Sequence, residues 1–129
     1  MVVFPKAKIN IGLRIVEKRP DGFHNIETFF YPVPVADALE FVVRKDGRKT
    51  DTLKVTGNME DDAPDSNLVM KAVTIMRESF DFPWLRIHLH KAIPVGAGLG
   101  GGSSDAAGIL KALNRYFAFG LNSEELRSF

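Results

Sequence analysis

The chain has no cysteine, and it has no apolar run of the roughly 20 residues that a membrane span requires. Disulfides and thiolate metal sites are therefore excluded. The chain also lacks an excess of either charge, since 17 basic and 16 acidic residues leave a net charge of +1. This balance gives no electrostatic reason to expect binding to nucleic acid or to an anionic membrane. The first residues lack the charged and apolar regions of a signal peptide, so we expect a cytoplasmic protein.

What the chain does have is an ordinary globular composition. Its 129 residues are 45% hydrophobic and 26% charged, which suits one domain with one core. Near the end, Asn122 or Ser123 followed by Glu124 and Glu125 predicts the start of a helix. Because Phe129 follows within about two turns of that start, we expect the chain to be truncated.

The beginning of the chain predicts a β-hairpin. Residues 7–17 alternate between apolar and polar, which predicts a half-buried strand with Lys8 and Asn10 side by side on one face. Residues 19–22 have the composition of a turn. The aromatic and β-branched residues 23–33 predict the second strand.

The rest of the chain predicts three more strands and two helices. Pro32 and Pro34 should end the second strand of the hairpin. Further strands are predicted at 39–44, 53–56 and 84–92, a loop at 61–65, and helices that begin at Ser66 or Asn67 and at Ser104. The order of four strands, helix, strand, loop and helix predicts an α+β fold, with a mostly antiparallel sheet packed with helices.

Apolar periodicity assigns the buried faces of the later elements. The positions expected inside are Val69, Ala72, Val73, Met76 and Phe80 on the first helix, Leu85, Ile87 and Leu89 on the strand, and Ala106, Ile109 or Leu110, Leu113 and Phe117 on the second helix. Arg86, His88 and His90 should point outward. Two histidines without an evident third ligand indicate an exposed polar face rather than a metal site.

The most informative stretch is PVGAGLGGGSSD at residues 94–105, in which five of twelve residues are glycine. It carries little apolar surface, so it cannot serve the core. Glycines allow backbone amides to approach a ligand and to converge on an anion. Because a helix is predicted directly after it, the loop lies where free amides and the helix dipole favour a phosphate.

Several known phosphate loops fit this stretch poorly. Residues 96–101 satisfy Gly-x-Gly-x-x-Gly, but the acidic residue expected after a second parallel strand has no clear counterpart. The Walker A pattern fails because no lysine precedes Ser103. The protein-kinase glycine loop leads into a strand, whereas here a helix is predicted. A flexible linker without a ligand is disfavoured by the internal leucine and the flanking Pro94.

A Pro-x-x-x-Gly-Leu-Gly-x-x-Ser-Ser loop that opens a helix resembles the second motif of the GHMP kinases. The resemblance extends, in family order, to AKIN at 7–10, RPDGFH at 19–24 and SNLV at 66–69. These match the branch that phosphorylates CDP-methylerythritol in non-mevalonate isoprenoid biosynthesis. The resemblance covers residues 1–129 and implies the N-terminal, ATP-binding domain of such a kinase, with a C-terminal domain absent. It further implies ATP and Mg²⁺ as cofactors and a small-molecule acceptor.

The resemblance also implies roles for particular residues. Lys8 corresponds to the catalytic lysine, and Asn10, Phe23 and His24 correspond to acceptor-binding positions, although the family's usual tyrosine is replaced here by Phe23. ATP-binding positions are Asn67, Lys91, Pro94, Val95, Gly96, Ala97, Gly98, Leu99, Gly100, Gly101, Gly102, Ser103 and Ser104. For each serine, simple capping of the helix is an equally good interpretation. For Lys91, an ordinary surface position is nearly as good, and Asp105 is expected to stabilise the first turn of the helix rather than to bind a metal.

One part of the kinase is not found. The family's catalytic aspartate lies in a segment that has no match before Phe129. We therefore expect little or no kinase activity from this chain alone, and exposed apolar surface that favours self-association. Two alternatives stay open: a GHMP kinase for another small alcohol, of the homoserine or mevalonate type, and a nucleic-acid-binding module, since the family shares part of its fold with a ribosomal protein domain. The near-neutral charge argues against the second alternative.

Overall fold

The computed structural model describes residues 1–58 and 66–129. The strands are β1 (Val2–Val3), β2 (Lys6–Lys18), β3 (His24–Ala36), β4 (Ala38–Val43), β5 (Thr52–Gly57) and β6 (Leu85–Lys91). The helices are α1 (Leu68–Ser79) and α2 (Gly101–Phe117), and a short 3₁₀ turn spans Glu125–Arg127. The predicted loop at 61–65 lies outside the described residues.

The sheet that carries the core has four strands in the order β1-β4-β6-β5. The pairings β1–β4 and β4–β6 are antiparallel, and β5 pairs with β6 in parallel across the connection that contains α1. Strands β2 and β3 form a separate antiparallel hairpin. The predicted α+β class and the predominance of antiparallel pairing are therefore confirmed.

Both helices pack on one face of this sheet. The inward positions of β6 are Leu85, Ile87 and Leu89, and each is at most 3% exposed. They meet buried residues of the two helices, Val69, Ala72, Val73, Met76, Ile109, Leu110, Ala112 and Leu113. The apolar faces predicted for the helices are largely confirmed, except that Ala106, Phe80 and Phe117 are only partly buried. The outward residues of β6, Arg86, His88 and His90, are exposed as predicted.

Helix α1 begins as its sequence predicts. Asn67 is its N-cap, and the Asn67 Oδ1 atom accepts a hydrogen bond from the Val69 amide at 2.9 Å. This cap satisfies one of the amides that a helix start leaves without a partner. Among the described residues, no helix is long and apolar enough to cross a membrane.

The hairpin differs from its prediction in two ways. Strand β3 continues through Pro32 and Pro34 to Ala36, because a two-stranded ribbon has an outer edge where a proline need not donate to a partner strand. The apolar face of β2 is not half-buried: Ile11 and Leu13 are more than half exposed. Alternation gives a strand two different faces, but it does not supply an element that covers one of them.

The end of the chain forms a 3₁₀ turn rather than the predicted helix. Asn122 Oδ1 accepts hydrogen bonds from the amides of Glu124 and Glu125, while the Asn122 amide donates to Glu125 Oε2. This reciprocal pattern is a capping box, so the predicted start signal is present. The segment is also held to α2, since the Asn114 side chain exchanges two hydrogen bonds with the Leu121 backbone.

Candidate functional site

The glycine-rich loop between β6 and α2 has an alternating backbone. Gly96, Gly98 and Gly100 have φ values of 73°, 71° and 68°. Ala97 and Leu99 between them have no positive φ. Left-handed residues at alternate positions are typical of the nests in which successive amides converge on an anion. The conformation therefore needs glycine at alternate positions, which explains the sequence pattern.

The amides of this loop are not used by the rest of the fold. Apart from the turn at residues 95–96, the hydrogen bonds of the described residues include none donated by the backbone amides of residues 95–100. Gly100 is the N-cap of α2 and provides no side-chain cap, so the first-turn amides of the helix lack intrahelical acceptors as well. Unpaired amides at the positive end of a helix are a suitable site for phosphate oxygens.

A cavity of about 310 Å³ lies on one side of the loop. This volume falls at the low end of the range of small-molecule sites, roughly 300–1,000 Å³. Its lining includes Asn67, Lys91, Asp105 and every residue from Pro94 to Ser103. All the predicted ATP-binding residues except Ser104 therefore border one space.

A second cavity lies at the base of the hairpin, against the same loop. Its lining combines Lys6, Ala7, Lys8, Phe30 and Pro32 of the hairpin with Gly98, Gly100, Ser103 and Ser104. Because Gly98, Gly100 and Ser103 border both cavities, the loop is shared by the two spaces. Two reactants bound there would meet across the loop.

Lys8 faces the loop from this second cavity. Its backbone amide donates to the Leu99 carbonyl at 2.9 Å. Its Nζ donates to Asn10 Oδ1 at 3.0 Å and lies 3.5 Å from the Gly98 carbonyl oxygen. The Nζ is also 5.3 Å from the centre of the Phe30 ring. The lysine predicted to be catalytic is thus held against the loop predicted to bind phosphate.

Gly100 allows this close approach. An ideal Cβ at Gly100 would lie 2.9 Å from Lys8 Cε and 3.3 Å from Lys8 Cγ. A real Cβ does not tolerate such a distance, so the Lys8 side chain would have to move. The third glycine of the alternating set therefore serves both the positive φ and the position of the lysine.

A buried group of three charged side chains lies beneath the start of α2. Lys91 Nζ donates to Asp105 Oδ2 at 2.8 Å and also to Asp37 Oδ2. Asp37 Oδ1 accepts the amides of Ala92 and Ile93 at 2.6 and 2.8 Å. Asp37, Lys91 and Asp105 are 0%, 6% and 1% exposed. We call these three residues the buried charge cluster.

The cluster has two acids for one base. Burial raises the pKa of Asp105 to about 6, against the opposing effect of Lys91, which donates a hydrogen bond to the carboxylate. For Lys91, burial acts to lower the pKa, but hydrogen bonds and charges from Asp105 and Asp37 outweigh it, so the pKa is raised. Lys91 is therefore a cation, whereas Asp105 has a pKa of about 6, well above that of an ordinary aspartate.

The structure excludes two alternatives left open at this site, helix capping by the serines and a surface position for Lys91, and one prediction, the role of Asp105, is wrong. Ser103 and Ser104 do not cap α2, because the helix begins at Gly101 and places both serines inside its first turns. Asp105 is the fifth residue of the helix, and it pairs with Lys91 instead of stabilising the first turn. Lys91 is not a surface lysine.

The other predicted acceptor-binding residues lie apart from the loop. Asn10 is beside Lys8, but Phe23 and His24 lie at the far end of the hairpin, where His24 pairs with Lys18. Ten residues of strand separate Lys18 from Lys8, at most about 33 Å. The strand is bent on the way, because Gly12 has a φ of 66° at a register shift between Ile11 and Leu13. Neither cavity at the loop is lined by Phe23 or His24.

Asp37 is a member of the site that was not predicted from the sequence. The signal was present, because Asp37 is a single acid between apolar residues in Val-Ala-Asp-Ala-Leu, a setting in which a carboxylate needs a buried partner.

His88 and His90 both hydrogen-bond to the Thr56 hydroxyl, at 2.9 and 3.0 Å. Over residues 1–58 and 66–129 there is no group of three or more His, Cys, Asp or Glu side chains suited to a metal ion.

Comparisons with known proteins agree on one family. Residues 67–129 match the model of the GHMP kinases N terminal domain. A 4-diphosphocytidyl-2-C-methyl-D-erythritol kinase of Porphyromonas gingivalis is 56% identical over 126 residues, which is 98% of this chain and 45% of the relative. The kinase of the same name from Bacteroides fragilis is 49% identical over 129 residues, which is 100% of this chain and 47% of the relative.

Solved structures give the same result. The crystal structure of a 4-(cytidine 5'-diphospho)-2C-methyl-D-erythritol kinase superposes with a TM-score of 0.77 at 33% identity, covering 99% of this chain and 45% of that one. A mevalonate pyrophosphate decarboxylase from Streptococcus pyogenes, at 16% identity and a TM-score of 0.66, shares the fold over 95% of this chain and 39% of its own. The chain thus spans about half the length of the relatives that it matches.

Proposed function

The chain belongs to the GHMP kinases, and from that premise we propose that residues 1–129 form the ATP-binding domain of a kinase for 4-diphosphocytidyl-2-C-methyl-D-erythritol, or CDP-methylerythritol. The reaction would transfer the γ-phosphoryl group of ATP to the 2-hydroxyl of the methylerythritol unit, in non-mevalonate isoprenoid precursor synthesis. Identities of 49–56% to relatives of that name support this choice over other acceptors. A cytoplasmic location is part of the proposal, because the reaction consumes ATP.

The observation that carries the proposal is the position of the loop between the two cavities. In the larger family of phosphoryl-transfer enzymes, catalysis consists mostly of positioning and charge stabilisation. Amides of residues 95–103 would hold the phosphate chain, and the adenosine would occupy the cavity lined by Asn67 and Lys91. The acceptor would enter on the side of Lys8.

Lys8 and Asn10 would then act on the transferred group. The Lys8 ammonium, held by Asn10 at 3.0 Å, would stabilise negative charge as it develops on the transferred phosphoryl group. Asn10 would orient Lys8 and contact the acceptor polyol. Mg²⁺ would arrive bound to the ATP phosphates, where it supplies further neutralisation of their charge; the described residues offer no cluster of acids for it.

The proton acceptor for the 2-hydroxyl is not assigned within this chain. Among the described residues, no acidic side chain forms an ion pair with Lys8, and Asp105 is engaged with Lys91. We propose that the base belongs to sequence beyond residues 1–129, and that this chain alone binds nucleotide with little turnover.

The test uses a chain of the relatives' full length with ATP and CDP-methylerythritol, homoserine or mevalonate as acceptor. Phosphorylation of CDP-methylerythritol alone supports the proposal. Lys8→Ala should lower kcat by about 100-fold or more, the effect of removing one preorganised charge donor, with little change in KM for ATP. Lys18→Ala, on the same strand but at the far end of the hairpin, is the matched control. Equal kcat for the two variants would exclude a catalytic Lys8.

For Phe23 and His24 we propose contacts to the cytidine ring, by stacking and by hydrogen bonding to its edge. This role requires the hairpin to bring its tip toward Lys8. Phe23→Ala and His24→Ala should each raise KM for CDP-methylerythritol and leave KM for ATP unchanged. Unchanged acceptor KM values would place the cytidine elsewhere.

A further inference from the structure

The buried charge cluster lies directly beneath the proposed phosphate site. An ideal Cβ on Gly101, the first residue of α2, would lie 3.2 Å from Lys91 Nζ. Asp105 and Lys91 both line the cavity that borders the loop. Any charge on the cluster therefore acts on an anion held by the loop amides.

The hydrogen bonds of the cluster are incomplete at one atom. Asp37 uses both carboxylate oxygens, one for two backbone amides and the other for Lys91. Asp105 uses Oδ2 for Lys91, but its Oδ1 is buried and has no hydrogen-bond partner among the described residues. A buried carboxylate oxygen without a donor is unfavourable, and a proton on that oxygen removes the charge.

The net charge of the cluster also favours a proton on Asp105. With both acids ionised, the cluster carries one positive and two negative charges, which leaves a net negative charge below a site for anions. Asp37 and Lys91 are the charged groups that act on Asp105 in the described part of the chain. Because Asp37 accepts two backbone amides as well as Lys91, Asp105 is the acid that can lose its charge with the smaller disturbance.

We propose that Asp105 takes up one proton from solvent on Oδ1 when a nucleotide's phosphate chain occupies the glycine loop. The inference rests on the proposed function, because it needs an anion at the loop. Protonation converts the cluster from net negative to neutral and makes Asp105 a hydrogen-bond donor. Asp105 is thereby a positioning residue, since it acts on the phosphates through the first turns of α2 and through Lys91.

In the chain without nucleotide, a fraction of Asp105 is already protonated. At pH 7, about one unit above the pKa of Asp105, about a tenth of the molecules carry the proton. Phosphate charge at the loop disfavours the carboxylate and raises this pKa further. A rise of one unit brings the protonated fraction at pH 7 to about one half, so that about 0.4 proton is taken up per nucleotide bound.

The first test measures the empty chain by ¹³C NMR of its aspartate carboxyl groups, with Asp105→Asn to assign the signal. We expect a titration midpoint near pH 6 for Asp105. A midpoint at or below the ordinary aspartate value would overturn the inference without bearing on the proposed function.

The second test measures the heat of MgATP binding by calorimetry at pH 7, in buffers that differ in ionisation enthalpy. The dependence on buffer gives the number of protons taken up. Protons exchanged by the nucleotide itself are common to all variants and cancel in the comparison. The wild-type chain should take up at least 0.4 proton more than Asp105→Asn, whereas Asp81→Asn, at an exposed aspartate, should match the wild type.

The outcomes are distinct. Saturable binding with equal proton uptake in the wild type and Asp105→Asn overturns the coupling and leaves the phosphate site intact. No saturable binding by any variant overturns the proposed site and the coupling together. If Asp105→Asn does not fold, the Asp105 carboxyl signal of the wild type decides at pH 7, because saturation with MgATP should shift it toward the protonated form. An unchanged signal at saturation contradicts the inference.

Discussion

Substituting Gly100 with alanine tests the contact between the loop and Lys8. At Gly100 the φ is 68°, and a left-handed conformation costs an alanine about 1–2 kcal/mol. The new Cβ would also stand 2.9 Å from Lys8 Cε. The lysine stem is flexible, so it moves aside, and the hydrogen bond from Nζ to Asn10 at 3.0 Å is lost. A partly exposed bond of this kind stabilises by about 1 kcal/mol.

Gly98→Ala is the matched control. Its φ is 71°, so it carries the same conformational cost, but an ideal Cβ there meets nothing within 4 Å. We expect the free energy of unfolding to fall by about 1–2 kcal/mol in Gly98→Ala and by about 2–3 kcal/mol in Gly100→Ala.

Two assays separate these effects. Urea denaturation gives the free energies of unfolding, and the rate of acylation at each lysine, followed by mass spectrometry, reports the exposure of Lys8. Acylation of Lys8 should be faster in Gly100→Ala than in the wild type and unchanged in Gly98→Ala. If both variants lose the same stability and Lys8 reacts at the wild-type rate in each, the proposed contact between Gly100 and Lys8 is refuted.

Three further predictions concern stability and association. Asp105 has a pKa raised from 3.8 to about 6, so the folded chain holds its proton more tightly than the unfolded chain does. The contribution of Asp105 to stability should therefore fall by about 2–2.5 kcal/mol as pH rises from 4 to 7. Urea titrations of Asp105→Asn should lack this contribution, and parallel pH profiles would contradict it. Arg77 binds Asp51 through two nitrogens at 3.0 Å and lies over two aromatic rings, so Arg77→Lys should cost about 2 kcal/mol. Arg14→Lys, in an exposed pair at 3.8 Å, should cost under about 0.5 kcal/mol, and equal losses would refute the difference. Ile11 is 52% exposed on the hairpin, so we expect a second copy of the chain to cover it at high concentration. Ile11→Lys should therefore weaken the self-association measured by sedimentation. An unchanged association constant would exclude this face of the hairpin.

The sequence patterns predicted the elements better than their surroundings. Periodicity located α1 and β6 and their buried faces, because side-chain direction repeats with the backbone. The same reasoning failed for β2, whose apolar face is exposed, since a pattern of alternation does not specify what packs against it. The prediction that Pro32 ends the strand was wrong, because a proline ends a strand only where its missing amide would be needed for pairing.

The loop was predicted and the cluster beneath it was not, for a physical reason. A phosphate-binding loop is a local device, and its alternate glycines are adjacent in sequence. The cluster joins Asp37 to Lys91 across 54 positions and Lys91 to Asp105 across 14. Such pairing depends on sheet order and on the docking of α2, which sequence spacing does not give. The start of α2 at Gly101 was missed because glycine is a poor helix former, although only glycine fits beside Ile93 and Lys91 there.

The central claim is that amides of the glycine loop bind nucleotide phosphates beside Lys8, and amide NMR during a MgATP titration tests it most directly. The account predicts large, saturable shifts for the amides of Gly96, Gly98 and Gly100, with the Lys8 ammonium responding at the same concentrations. The amide signals of Gly22 and Gly47, which have positive φ but lie outside the glycine loop, should not shift. The account would be contradicted if other amide signals shifted saturably while those of the loop glycines did not, or if no amide signal shifted at any MgATP concentration.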